Sequence, residues 1–160
     1  MLALRNSNSL LRACLVSLAL CAVAVPLAHA ADAPVQVEVL VILAKEEAGQ
    51  IDAKLKQVRA LQKPPLNGFK SMKVLSTSVI DISEDKDASV DLPSGGKLHV
   101  KLLQRVADGR HKVQVTITRP GKQDTVLTVV ASGEPFFVAG QHFEGGTLVI
   151  GVRVGGPVTK

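Results

Sequence analysis

The sequence contains no tryptophan, no tyrosine and only four phenylalanines in 160 residues. Proteins that hold nucleotide bases or sugar rings commonly stack them on such side chains, so single-strand nucleic-acid binding and a carbohydrate platform are both disfavoured. Cysteine is almost as scarce. Cys14 and Cys21 are the only two, and both fall within the first 30 residues. Beyond them no disulfide, no thiolate zinc site and no cysteine nucleophile can form. Recognised catalytic spacings are missing as well. There is no G-x-S-x-G elbow, and Ser94-Gly95-Gly96-Lys97 lacks the G-x-x-x-x-G-K-[ST] spacing of a phosphate loop. That tetrapeptide leads into a β pattern rather than a helix N-terminus, so it reads as a turn.

The N-terminal stretch has the form of a secretory leader. Arg5 and Arg12 precede an apolar run from Ala13 to Val25, Pro26 interrupts it, and Ala28-His29-Ala30 places small residues where signal peptidase needs them. The run is shorter than the ~20 residues that span a bilayer, which argues against a permanent anchor. Leu20 is too bulky for a lipobox ending at Cys21. The expectation is a cleaved signal peptide over 1–30, cut between Ala30 and Ala31, and a periplasmic or secreted protein. No transmembrane segment is expected in the mature chain. Without Arg5 and Arg12, the rest has 17 basic and 14 acidic residues, and about 41% of it is apolar. That composition suits one globular domain over 31–160, ordered over about 35–154 and held by a hydrophobic core rather than by cross-links.

Val35–Leu43 begins as strict alternation and ends as a continuous apolar run, the pattern of a strand buried on one face and then on both. Ile51, Leu55, Val58 and Leu61 then recur at helical spacing, predicting an amphipathic helix over about 50–62 that ends before Pro64-Pro65. From Phe69 onward the pattern is β. The apolar phase slips between Val74 and Val79, which predicts a bulge near Ser76–Ser78. Asp108-Gly109 signals a hairpin. A two-residue turn there would place Leu102 opposite Val115 and His99 opposite Thr118, with the apolar positions of both strands on one face. A bulged turn at Pro120-Gly121 would add Thr125, Leu127 and Val129 to that face. The predicted fold class is α+β: an antiparallel meander or sandwich of seven or eight strands with one helix against it.

Residues with chemical potential are few. His99 and His111 fall on opposite faces of the predicted hairpin, and His142 lies between glycines, so a shared metal or acid–base site is not indicated. Glu84, Asp85, Asp87 and Asp91 lack the order of a calcium loop and read as a solvated tip. No cofactor is implied. Phe136 and Phe137 must point to opposite sides of a strand. Phe136 shares the phase of Val138 and reads as core, which leaves Phe137 to form a small apolar partner surface with Phe143 or to lie under the helix. Lys56, Arg59 and Lys63 give the helix a basic outer face suited to an acidic partner.

The first strand, the Ile51-Asp52-x-x-Leu55 helix start and the closing Phe143-x-Gly145-Gly146-Thr147-Leu148-Val149-Ile150 strand resemble a class of small exported bacterial β-rich proteins. The resemblance carries no catalytic motif. The expected function is therefore a non-catalytic exported domain that binds another envelope or secreted protein or supports envelope assembly. The alternatives are a soluble carrier of a small apolar ligand, which requires a cavity between sheet and helix, and a metal-dependent enzyme using His99, His111 or His142.

Overall fold

The computed structural model describes residues 33–155. The expected signal peptide, its Ala30–Ala31 junction and the tail from Gly156 lie outside the described residues. Among those described, eight strands form two four-stranded antiparallel sheets. Along the chain they are β1 (Val35–Lys45), β2 (Ser71–Ile82), β3 (Ala88–Asp91), β4 (Lys97–Arg105), β5 (His111–Arg119), β6 (Lys122–Ala131), β7 (Phe136–Phe143) and β8 (Gly146–Val154). The first sheet has the order β2-β1-β8-β7 and the second β3-β4-β5-β6. Only the second is a simple meander. In the first, the earliest and latest strands pair with each other at the centre.

The main core lies between the sheets. β1 contributes Val35, Val37, Val39 and Val41, and β8 contributes Leu148, Ile150, Val152 and Val154. They meet Leu98, Val100 and Leu102 of β4 and Val113, Val115 and Ile117 of β5. Period-two alternation accounts for all of these. β1 changes character at Val41, after which Ile42 and Ala44 are buried on the opposite face as well. That second face is covered by the segment between β1 and β2, so the double burial visible in the sequence has a local cause.

The covering segment is not the helix that the periodicity predicts. It consists of a single α-turn, α1 (Ala53–Lys56), then 3₁₀ turns at Arg59–Gln62 and Leu66–Gly68. Val58 between them is extended, at φ −86° and ψ 99°. Asp52 stands at the N-cap but makes no capping bond. Its Oδ2 instead accepts the Val74 N–H at 2.8 Å, tying the segment to β2. An uncapped stretch this short is a marginal helix in any context. The apolar stripe still does its packing work, because Leu55, Leu61 and Leu66 are buried against Ile42, Met72 and Val149.

Two other expectations need correction. The β4–β5 loop takes in Ala107 as well as Asp108-Gly109 and closes with the Val106 N–H donating to the Arg110 carbonyl at 2.8 Å. A second one-residue slip occurs between Leu102 and Gln104, so Val100, not Leu102, faces Val115, and His99 faces Thr116. Two single slips restore the parity, which is why the predicted face is right although the predicted pairs are not. In β2 the irregularity lies at Leu75, because Val41 pairs with Ser76 and Ile42 with Val74. It turns Met72 and Val74 toward the covering segment, and Ile80 and Ile82 toward the sandwich. As expected, Thr125, Leu127 and Val129 pair with Ile117, Val115 and Val113 on the inner face.

Candidate functional site

The outer face of the first sheet is covered unevenly, and transverse rows of paired residues show how. Val74, Ile42 and Val149 form a row packed against the covering segment, while the next member of that row, Ala139 on β7, is exposed. The next row is Thr77, Leu40, Gly151 and Phe137, from β2, β1, β8 and β7. The third places Glu38 beside Arg153. The covering segment stops above the middle row. Between it and the sheet runs a cleft of about 350 Å³ with Leu40, Phe137, Gly151 and Thr77 below, Leu55, Val58, Lys54 and Gln57 above, and Pro135 at the side.

Gly151 shapes the floor. A Cβ at this position would stand 2.7 Å from Phe137 Cε1, because the Phe137 ring lies directly over the glycine across the β7–β8 pair. A cross-strand aromatic laid over glycine buries the exposed backbone and keeps the ring low against the sheet. At the open end Arg153 Nη1 is 3.4 Å from Glu38 Oε2, with the two side chains 25% and 21% exposed. Such a cross-strand ion pair contributes roughly 0.2–1 kcal/mol. It gives the cleft a charged mouth and an apolar depth.

A second cleft of about 330 Å³ lies on the other side of Leu55, bounded by Ile51, Leu61, Asn67, Phe69 and Met72. Leu55 thus stands as a pillar between two voids. A third void, of about 30 Å³, sits between the sheets beside Gln141 and Arg119. That is the size of about one water molecule, too small for a ligand. Gln141 accepts a hydrogen bond from the Ser94 hydroxyl there.

The residues singled out from the sequence fall as follows. Phe136 packs into the sandwich. Phe137 packs against the covered outer face and Phe143 against the sandwich, so the two rings do not form one patch. The cause is the irregularity at Gly140: Ala139 pairs with Val149 but Gln141 with Leu148, and the extra residue reverses the parity between the two phenylalanines. Lys56, Arg59 and Lys63 are all exposed, but on successive short turns rather than one helix face. His99 is half-buried on the outer face of β4. It lies five residues along the ladder from His111, roughly 17 Å at ~3.3 Å per residue. His142 is exposed within β7, opposite Thr147, and not in a loop. His111 lies on the inner side of β5 against Gly155. Burial lowers its pKa below 6.5, and the nearby Arg105 charge lowers it further. Among the described residues no three His, Cys, Asp or Glu side chains converge as metal ligands. No helix among them is long and apolar enough to cross a membrane. Glu84, Asp85 and Asp87 are exposed on the link between the sheets, where Ser83 bridges Lys86.

Sequence reasoning did not identify the cleft. Its floor depends on Gly151 and Phe137, and its mouth on Glu38 and Arg153, which only the pairing of β1 with β8 brings together. No family model, curated protein or solved structure matches the chain.

Proposed function

We propose that this is an exported, non-catalytic binding domain and that its ligand is a small molecule with an apolar body, held between the first sheet and the segment covering it. The cleft of about 350 Å³ carries this reading. Its volume falls within the ~300–1,000 Å³ usual for small-molecule sites, and its depth is lined by Leu40, Leu55, Val58 and Phe137. Export is supported by the leader pattern at the N-terminus, and Ala31 as the first residue of the exported form would be its signature.

Docking of a protein partner keeps one observation in its favour. β6 is an edge strand with Val126 and Val130 exposed at 54% and 49%, and an exposed edge can accept a further strand. The cleft reading is preferred because it specifies a concave site with an apolar depth and a charged mouth and not only an open surface.

The test is titration of purified protein with phenylnaphthylamine, a neutral fluorophore that brightens in apolar surroundings. Saturable one-to-one binding is expected, and Leu40→Arg should weaken it at least tenfold while circular dichroism shows the same fold. Failure of the probe to saturate, or binding indifferent to Leu40→Arg, would overturn the proposal.

A further inference from the structure

Resting on the cleft as the binding site, we infer that the ligand is a monoanionic amphiphile: an apolar body of on the order of ten carbons ending in one carboxylate-like head. The cleft sorts its lining by depth. Under the covering segment the walls are Leu40, Leu55, Val58 and Phe137, none of which offers a side-chain hydrogen bond. An apolar body loses nothing by entering there, whereas a polar group would lose its water without replacement. The head therefore stays at the mouth.

The charge at the mouth decides its sign. Glu38 and Arg153 pair with each other and nearly cancel at a distance. Lys54, exposed on the overhanging α1, is the additional charge, so the lining is net positive by one. Gln57 and Thr77 line the same cleft and can donate hydrogen bonds, while Glu38 is the only lining residue that repels an anion. A cationic head would meet Lys54 and Arg153. A neutral head would gain hydrogen bonds but no charge term.

Size follows from volume. An accessible volume of about 350 Å³, near the lower end of the range for small-molecule sites, suits a medium-length chain or a substituted ring rather than a long-chain lipid. The head-group preference should be modest, because an ion pair with a solvent-exposed lysine contributes little. A factor of about five between anionic and neutral heads is expected.

The experiment is displacement of phenylnaphthylamine by decanoate, decanol, decylamine and hexadecanoate. Decanoate should displace the probe at about one-fifth the concentration needed for decanol, with decylamine the weakest of the three ten-carbon ligands. Lys54→Gln, which brings the lining to zero net charge, should abolish that advantage, and Lys54→Glu should reverse it, read as the ratio of decanoate to decanol displacement in each variant. Decanol or decylamine matching decanoate would overturn the anionic head while leaving the cleft as a binding site. Hexadecanoate binding tighter than decanoate would overturn the size limit. Failure of the probe itself to bind would remove the cleft proposal and this inference together.

Discussion

Gly151→Ala should narrow the cleft at its floor and leave the domain folded. The new Cβ would lie 2.7 Å from Phe137 Cε1 and 3.1 Å from Cδ1. Carbon atoms pack at ~3.5–4.0 Å, so the ring must withdraw by about 1 Å. Overpacking of this kind costs ~1–3 kcal/mol, the upper end applying where neighbours are locked. Phe137 is half-buried and borders the cleft, so it has space to move into, and the cost falls near ~1 kcal/mol. Replacing a glycine inside a strand also gains ~0.5–1 kcal/mol by restricting the unfolded chain. The two contributions nearly cancel. At roughly 3–5 °C per kcal/mol for a domain of this size, Tm should move by less than about 5 °C. Far-ultraviolet circular dichroism is the appropriate monitor, since the chain has no Trp or Tyr to report by fluorescence. With the ring pushed into the cleft, phenylnaphthylamine binding should weaken tenfold or more. A fall in Tm of more than roughly 10 °C would mean that Phe137 has nowhere to go and that the void is not accessible to it. Unchanged probe affinity would mean that the probe sits elsewhere.

Leu55→Ala should cost about 2–3 kcal/mol in urea denaturation, the lower part of the range for a buried leucine, because voids already flank Leu55 on both sides. Leu102→Ala, equally buried but inside the sandwich, should cost about 3–5 kcal/mol, and a reversed order would contradict the loose packing described for the covering segment. His111 favours its neutral form in the folded state, so its contribution to stability is complete above pH 6.5 and is lost as pH falls through 6.5 toward its lowered folded value. Tm measured across that window should therefore decline on acidification and decline less in His111→Gln; a rise in the wild type would carry the wrong sign.

The strands were legible because alternation is a local signal. Val113, Val115 and Ile117 declare their face whatever lies opposite. Pair identities were less legible, since the extra loop residue Ala107 and the second slip between Leu102 and Gln104 together move each partner by two positions and so leave the faces unchanged. The helical segment misled for a related reason: Ile51, Leu55, Val58 and Leu61 record which side chains turn inward, and a run of short turns can satisfy that spacing as well as a helix. Phe137 and Phe143, six positions apart, share a face on a regular strand, and only the irregularity at Gly140 separates them. The cleft was beyond reach of local patterns. Gly151 reads as one more β-region glycine until Phe137 is known to lie across it, and Glu38 and Arg153 become neighbours only through the β1–β8 pairing.

That pairing also sets an order of events in time. About a hundred residues separate Lys45 from Gly146, yet β1 and β8 are the two inner strands of one sheet. At ~5–20 residues per second a ribosome needs about 5–20 s to make that stretch, and until it is done β1 lacks its inner partner. Contacts so distant in sequence also close slowly once both ends exist. A nascent chain of this design cannot complete its first sheet before β8 has been made. For a polypeptide that must thread an export channel before it folds, as we propose here, the delay is useful, because the domain cannot lock ahead of the arrival of its own last strand.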